Sequence, residues 1–382
     1  MKNLKCAIFI SDVGFGHMVR QRQIIVELFK QFKNISITVF HKKNLHILEK
    51  SFGKRINYVE HFNNIELKKK SSGLLDLERT KKVFKNWKKK SDIFLKKKSH
   101  SLSRFNFFIS DLVPEISFYA SKAHKPCFSI CHYTWDWFFS KIFNKINEDI
   151  RLIAKYTNLS SKIYFPPLTH STIIKNSENI KNVNFIANKI FKKKISRKKV
   201  KILIMNNGTE VLSTKIKNLI PELIKIKEYK FYISTSKLNK RLIKKISLCK
   251  NVHIIKNDLK NIYNYIPKVN YIIARGGYNT ITECLLSKKP SLLAEEKFNP
   301  EISENLKSIK KIKFFEILKD GDWSPKRFKN RLIKFIFNQK NSLKYKKNSL
   351  QLKNDGAKTI VTDIKKCLKK YDKNNRRTLP KS

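Results

Sequence analysis

The sequence lacks the motifs that mark several common protein classes. Its 382 residues contain no CxxC pair, no zinc-finger spacing, no RNP motif and no basic leucine zipper, so no dedicated nucleic-acid-binding module is predicted. No apolar run approaches the ~18 residues that a membrane span needs, and the first run, residues 6–10, is too short for a signal peptide. The six cysteines, most of them inside apolar runs, are expected to be buried, reduced thiols. We therefore expect a cytoplasmic chain, soluble or peripheral at the inner face of the membrane.

Acidic residues are also scarce. The chain has 29 Asp and Glu against 84 Lys and Arg, which gives a formal net charge of +55. A charge of this size attracts polyanions and anionic lipid surfaces. The excess is nearly all lysine and is spread along the chain, so two interpretations stay open: a compositional habit, or a selected anionic partner such as an anionic membrane surface. No specific nucleic-acid partner is expected.

Short β-rich runs alternate with longer amphipathic stretches along the whole chain. This alternation is typical of parallel sheets with helices on both faces. The predicted fold class is α/β, with two Rossmann-like doubly wound domains facing a cleft. The chain after Phe314 is expected to be mostly helical. The predicted strands are 6–11, 36–40, 56–62, 105–111 and 127–133 in the first half, and 200–206, 230–236, 251–256, 271–275 and 290–295 in the second.

One stretch between the two halves, residues 186–199, is polar and basic without clear periodicity, which indicates a linker. The predicted organisation is one Rossmann-like domain over 1–185, this linker, a second Rossmann-like domain with C-terminal helices over 200–370, and a disordered tail over 371–382.

A glycine-rich turn, SDVGFGHMVRQ at 11–21, follows the first predicted strand and opens a helix. Gly14 and Gly16 allow the backbone to turn tightly and approach a ligand, and a helix start offers free N–H groups to an anion. His17 follows at the carboxyl end of the strand, where open α/β sheets bind ligands. Two interpretations stay open for His17: a ligand-facing catalytic histidine, or a histidine that caps or packs.

A second glycine turn, YIIARGGYNTITECLLSKKPSLL at 271–293, is the more specific signal. Its strand ends at Arg275, and Gly276 and Gly277 precede a helix that begins near Asn279. Paired glycines permit close approach to a diphosphate, and the helix dipole adds a favourable field there. Glu283, one turn into the helix, could accept hydrogen bonds from ribose hydroxyls. Its alternative role is a capping-box acid paired with Thr280.

These stretches resemble GT-B glycosyltransferases of the family-28 type. ARGGYNTITECLLSKKP, with NPEISEN at 299–305, resembles their donor-binding segment, including that of the enzymes that add N-acetylglucosamine to lipid-linked muramyl peptide. The GFGH element is similar to their first glycine-rich loop and to that of the UDP-sugar hydrolase of pseudaminic acid synthesis. DLVPEISFYASKAHKPCFSICHYTWDWFF, at 111–139, resembles the N-terminal glycosyltransferase-like part of plant L-arabinokinases.

The resemblance implies that the domain over 1–185 holds the acceptor and that the domain over 200–370 holds the nucleotide sugar. It also implies roles for individual residues of the second domain. It places Arg275, Gly276 and Gly277 along the donor diphosphate and Glu283 at the donor ribose. Relatives usually carry a glutamine or an aspartate-glutamine pair near Glu301, so the resemblance does not name the sugar. The other implied donor-binding residues are Gly208 and Thr209 at a second phosphate loop, Asn257 and Asp258 at the base, and Asn279, Thr280 and Asn305.

Trp135 and Asp136 follow a predicted strand and form a candidate acceptor platform, with an aromatic face for sugar and a carboxylate for a hydroxyl proton. The alternative is a helix start with tryptophan in the core. Asp320-Gly321-Asp322 imitates a metal-binding DxD motif but follows a helix, so we interpret it as a turn. No metal site and no cofactor are predicted.

Taken together, the expected function is glycosyl transfer from a nucleotide sugar, with UDP as the expected nucleotide, to a saccharide or lipid-linked acceptor. The expected transfer is metal-independent and concerns a hexosyl or N-acetylhexosaminyl group. His17 would be the base, and the resemblance implies inversion at the anomeric carbon. Two alternatives stay open: a nucleotide-sugar hydrolase or epimerase on the same fold, and a non-catalytic, basic polyanion-binding protein.

Overall fold

The computed structural model describes residues 3–13, 16–42, 45–61, 65–188, 199–205, 210–234, 240–255, 259–341 and 352–378. The chain forms two compact units. The first comprises Met1–Lys68, Asp76–Asn188 and Lys353–Ser382, and the second comprises Lys69–Leu75 and Lys189–Leu352.

The first unit is built on a parallel sheet of seven strands in the order β3-β2-β1-β4-β5-β6-β7. Helices cover both faces of a parallel sheet, so the central strands are largely apolar and buried. The strands are β1 (Leu4–Ile10), β2 (Ile35–Phe40), β3 (Asn57–Val59), β4 (Phe107–Asp111), β5 (Cys127–Ile130), β6 (Lys162–Phe165) and β7 (Ile180–Asn182). The helices before the second unit are α1 (Gly16–Gln31), α2 (His46–Phe52), α3 (Leu77–Lys85), α4 (Trp87–Leu102), α5 (Pro114–Lys122), α6 (Trp135–Phe143) and α7 (Glu148–Asn158).

The second unit repeats this plan with six parallel strands in the order β10-β9-β8-β11-β12-β13. Its strands are β8 (Val200–Met205), β9 (Tyr229–Ser234), β10 (Val252–Ile255), β11 (Tyr271–Arg275), β12 (Ser291–Ala294) and β13 (Phe315–Leu318). Its helices are α8 (Glu210–Lys225), α9 (Lys240–Ser247), α10 (Leu259–Tyr265), α11 (Tyr278–Ser287), α12 (Pro300–Ile309) and α13 (Pro325–Asn341). After Phe314 the described chain is mostly helical, as expected, although the strand β13 comes first.

In both sheets the strand order reverses at one point, between β1 and β4 in the first unit and between β8 and β11 in the second. Connections leave these neighbouring strands toward opposite faces, which opens a crevice at their carboxyl ends. This topological switch point is where doubly wound sheets bind ligands. The two glycine turns predicted from the sequence follow β1 and β11, so both lie at switch points.

The last helix, α14 (Gly356–Thr378), packs in the first unit. Its apolar stripe, which includes Ile360 and Ile364, joins the core that also contains Ile24 and Leu28 of α1. Gly356 allows the helix to start against the preceding chain, since a Cβ there would lie 2.1 Å from the carbonyl oxygen of Asn184.

This placement differs from the predicted domain boundaries. The sequence assigned 200–370 to the second domain, whereas the chain from Lys353 returns to the first unit. The predicted tail, 371–382, begins inside a helix that continues to Thr378. Periodicity indicates that a helix is amphipathic, but it does not say which sheet its apolar stripe covers.

Candidate functional site

His17 lies at the switch point of the first sheet, as the second residue of α1. In the register of β1 and β4, Ile10 pairs with Asp111, so the last residue of β4 stands directly beside the end of β1. The backbone N–H of Ser11 donates to the carbonyl of Asp111 over 3.0 Å, which ties the turn to the neighbouring strand. The sheet thereby brings a histidine and a carboxylate together across 94 residues of sequence.

The two side chains form a buried pair. Nδ1 of His17 lies 2.7 Å from Oδ1 of Asp111, and the relative exposures of the two residues are 2% and 0%. An ionised carboxylate only accepts hydrogen bonds, so the proton in this contact belongs to Nδ1. The assigned tautomer therefore leaves the lone pair of a neutral imidazole on Nε2. That lone pair is what a general base requires.

Three further side chains complete this cluster, which we call the His17 cluster. Arg20 donates from Nη2 to Oδ1 of Asp111 over 2.5 Å and from Nη1 to Nδ1 of His132 over 2.9 Å. Gln21 donates from Nε2 to Oδ2 of Asp111 over 2.8 Å. Positions 17, 20 and 21 share one face of α1 because a helix brings i, i+3 and i+4 side by side. Each oxygen of Asp111 thus has a side-chain donor.

The electrostatics of the His17 cluster keep Asp111 ionised. Burial by itself raises the pKa of a carboxyl group, and it is the largest influence here. The Arg20 guanidinium and the contacts with His17 and Gln21 outweigh it, and they hold the pKa of Asp111 well below its usual range. A fully buried carboxylate stays charged only with such compensation.

The sequence predicted His17 and Gly16 but missed Asp111, Arg20, Gln21 and His132. A signal for Asp111 was present, because an acid at the end of the apolar run 105–111 marks the carboxyl end of a buried strand. Arg20 and Gln21 could have been found as polar residues on the helix face of His17. Gly14 lies outside the described residues.

In the second unit, Arg275 ends β11 and Gly277 is the N-cap of α11. Nε of Arg275 donates to the carboxylate of Glu296, whose side chain is 5% exposed and also accepts from Nδ2 of Asn299 over 3.0 Å. Nη1 of Arg275 lies 4.0 Å from the position that a Cβ at Gly277 would take. A guanidinium therefore stands close to a helix start, and both attract anions.

Gly276 has a packing reason of its own. A Cβ at this position would lie 2.6 Å from Cδ2 of Leu306 on α12, so any other residue here would force the Leu306 side chain to move. Asn305 is fully buried, and its Nδ2 donates to the carbonyl of Gly276 over 3.5 Å. The two predicted residues therefore join α12 to the turn after β11.

Glu283 lies in the middle of α11 and is 6% exposed. The hydroxyl of Tyr263 donates to its Oε1. Burial raises the pKa of Glu283 to about 7, although the Tyr263 hydrogen bond acts in the opposite direction. The capping-box alternative is wrong, because Gly277 is the N-cap and Thr280 and Glu283 both lie inside the helix.

The other predicted donor-binding residues divide into two groups. Asn279 and Thr280 lie in the first turn of α11, and Glu301 lies in the first turn of α12. Gly208, Thr209, Asn257 and Asp258 lie outside the described residues.

Trp135 and Asp136 open α6 and are 2% and 0% exposed. The indole N–H of Trp135 donates to the carbonyl of Leu112 over 2.9 Å. Oδ2 of Asp136 accepts from the backbone N–H of Thr172 over 3.2 Å, and that of Ile173 also donates to it. These contacts fit the alternative of a helix start with tryptophan in the core.

Asp320 and Asp322 follow the strand β13, and not a helix as the sequence indicated. They lie in a single 3₁₀ turn, as predicted. Asp320 pairs with Lys215 and Lys297, and Asp322 accepts from the backbone N–H of Lys319 over 2.8 Å. Among the described residues, no three His, Cys, Asp or Glu side chains come together so that they could hold a metal ion. Within the same part of the chain, no helix has the length and apolar character needed to cross a membrane.

The architecture of the chain matches known glycosyltransferase structures. No protein-family model matches the chain. No curated protein matches it either. The structure of MurG from Acinetobacter baumannii is similar to this chain, with a TM-score of 0.57 and 12% identity. The match covers 95% of this chain and 99% of that chain. The calicheamicin glycosyltransferase CalG4 matches over 100% of both chains with a TM-score of 0.65 and 10% identity.

A third similar structure is UGT89C1 of Arabidopsis thaliana complexed with UDP, with a TM-score of 0.62, 12% identity, and coverage of 96% of this chain and 100% of that one. The chain therefore has the GT-B fold, with two Rossmann-like units built on parallel sheets. The predicted α/β class with two Rossmann-like doubly wound domains is confirmed, as is the resemblance to GT-B glycosyltransferases at the level of fold.

Proposed function

We propose that this chain is a glycosyltransferase that moves a hexosyl or N-acetylhexosaminyl group from a UDP-sugar to a hydroxyl of a saccharide or lipid-linked acceptor. The observation that carries the proposal is the buried His17–Asp111 pair at the switch point of a GT-B fold, with Nδ1 and Oδ1 2.7 Å apart. Sugar transfer to a hydroxyl needs a base, and the assigned tautomer supplies one at Nε2.

The reaction begins with proton transfer from the acceptor hydroxyl to Nε2 of His17. The acceptor oxygen forms a bond with the anomeric carbon while the bond from that carbon to the diphosphate breaks. The electron pair of the broken bond leaves with the diphosphate oxygen, and the single displacement inverts the anomeric centre. Asp111 accepts from Nδ1, so it orients the ring and holds the tautomer whose lone pair is on Nε2.

We assign donor binding to the second unit. The guanidinium of Arg275 and the start of α11 provide positive potential for the diphosphate and its developing charge. Glu283 is the proposed acceptor of hydrogen bonds from the ribose hydroxyls. The proposed reaction uses no metal and no cofactor besides the nucleotide sugar. UDP as the nucleotide is supported by the UDP complex of the similar UGT89C1 structure.

The net charge of +55 suggests where in the cell the reaction takes place. Anionic lipid surfaces attract basic proteins over about a Debye length. We therefore propose a cytoplasmic location, with reversible attachment to the inner face of the membrane when the acceptor is lipid-linked.

The test begins with a thermal-shift screen of nucleotide sugars, because a ligand that binds only the folded chain raises its melting temperature. With the sugar that binds, we expect His17→Ala to lower turnover by about 100-fold or more while calorimetric donor affinity stays nearly unchanged. His100→Ala, an exposed position on α4, is the matched control.

Two outcomes would contradict the proposal. Full turnover in folded His17→Ala protein would remove the base. Free sugar as the only product in the presence of every acceptor tried would favour a nucleotide-sugar hydrolase.

A further inference from the structure

Arg20 is an unusual residue for its place, because its side chain is fully buried inside the first unit. A guanidinium keeps its charge at any ordinary pH, so this burial carries a large desolvation cost. Its Nη2 reaches Asp111 at 2.5 Å and lies 3.1 Å from Nδ1 of His17. Both Nη2 and the protonated Nδ1 are donors, so they share Oδ1 of Asp111.

The other titratable groups around His17 are uncharged or turned elsewhere. Nδ1 of His132, whose ring centroid lies 5.0 Å from that of His17, accepts from Arg20 and is therefore unprotonated. Burial raises the pKa of the Cys131 thiol, so it stays neutral. Asp136, on α6, directs Oδ2 to backbone N–H groups of residues 172–174. Among the described residues, Asp111 and Arg20 are the charged side chains in contact with Nδ1 of His17.

A buried histidine beside a buried carboxylate, with no other charge nearby, takes up a second proton and forms an ion pair. Neutralising the pair in this way lowers the cost of burying the carboxylate. A histidine held in that state has no lone pair on Nε2 and cannot act as a base. In this chain the guanidinium already balances Asp111, and a second proton on His17 would leave an uncompensated positive charge in the interior.

We propose that Arg20 is a positioning residue that keeps His17 neutral, and hence able to accept a proton, by supplying the buried counter-charge of Asp111. The role of His17 as a base rests on the proposed function, whereas its charge state does not. The two parts can therefore be tested separately.

The charge-state test is NMR of the full-length chain labelled with 15N-histidine. The signal of His17 is identified as the one missing from His17→Ala. In the wild-type chain at pH 7.5 we expect neutral His17 with its proton on Nδ1. In Arg20→Met we expect doubly protonated His17 at pH 7.5, and in Arg20→Lys, which keeps the charge, neutral His17 again.

The matched control is Arg22→Met, on the same helix, because Arg22 bonds to Ser51 and Asn188 and does not contact Asp111. It should leave the His17 signal unchanged. Neutral His17 in folded Arg20→Met protein at pH 7.5 would overturn the inference. So would doubly protonated His17 in the wild-type chain at that pH, a measurement that holds even if Arg20→Met does not fold.

The second readout is the pH profile of transfer. Arg20→Met should lose at least tenfold in turnover at pH 7 and regain most of it toward pH 9, where His17 releases the extra proton. Arg20→Lys should keep the wild-type pH profile because lysine keeps the charge. A merely structural role of Arg20 would not predict this difference between the two variants. If the His17 signal changes as expected but no transfer is found, the proposed function is wrong and the inference about Arg20 still holds. If transfer depends on His17 but its signal does not respond to Arg20→Met, the inference fails alone.

Discussion

The two units bury a carboxylate near the same point of their sheets, with opposite electrostatic results. Asp111 ends β4, and Glu283 lies on the helix that follows β11, the strand in the corresponding place of the second sheet. The pKa of Asp111 lies well below its usual range despite burial, whereas burial raises the pKa of Glu283 to about 7.

The difference follows from the partners and not from the depth of burial. Asp111 has a guanidinium, an imidazole and an amide as donors. Glu283 accepts from the Tyr263 hydroxyl, which carries no charge. A neutral donor offsets only part of the cost of burying a charge, whereas a cation can offset most of it. Removing the negative charge of Asp111 should therefore lower the stability of the fold, whereas removing that of Glu283 should raise it.

The largest effect is expected from Asp111→Asn. Arg20 would lose its carboxylate and stay buried, which destabilises the fold by about 3–5 kcal/mol. Turnover should fall about 100-fold or more, since an amide that donates to Nδ1 of His17 selects the wrong tautomer. Scanning calorimetry and steady-state kinetics measure the two effects.

Asp363→Asn, on α14, is the control for Asp111→Asn because Asp363 bonds to Tyr164 and Lys181, which are not part of the His17 cluster. Since the pKa of Asp111 is lowered on folding, its stabilisation is present above the ordinary pKa of 3.8 and is lost as pH falls further. A difference in stability that persisted unchanged at pH 2 would contradict the assignment.

Glu283→Gln should stabilise the fold at pH 8, whereas Asp111→Asn should destabilise it. The pKa of Glu283 rises on folding from 4.5 to about 7, so the folded chain holds a proton that the unfolded chain releases. Wild-type stability therefore falls as pH rises through this window. Above pH 7 the variant should be more stable by about 3 kcal/mol, and the two should be equal below pH 4.5.

Chemical unfolding at several pH values measures this difference. Glu304→Gln, on α12, is the control, because Glu304 is partly exposed and pairs with Lys307 within its own helix. If Glu283→Gln were less stable than the wild-type chain at pH 8, the carboxylate would have a compensating partner after all.

The smallest effect is on donor affinity. At pH 8, where Glu283 is ionised, Glu283→Ala should weaken nucleotide-sugar binding by about 1.5–3 kcal/mol, because a ribose-binding carboxylate makes charge-assisted hydrogen bonds. Titration calorimetry on the folded variant measures it. Unchanged affinity would assign Glu283 a purely structural role and move the search for the ribose partner to other residues of the second unit.

Much of the candidate site could be predicted where strand, turn and helix follow each other directly in the chain. His17 and Arg275 were found in this way, since His17 follows a buried strand and Arg275 ends one, each at a glycine turn. Asp111 and Arg20 were missed because their significance depends on β4 lying beside β1. Glu283 was found through a resemblance, but its burial against Tyr263 was not visible in the sequence.

The sequence by itself determined the alternation of strands and helices, the parallel α/β class and the two glycine turns, because these follow from residue patterns within short windows. The tertiary structure decided the strand order, the return of α14 to the first unit and the charge of each buried carboxylate. These depend on contacts between residues that are far apart in the chain. Asp111 stays ionised because the fold places Arg20 against it, and no local pattern specifies that contact.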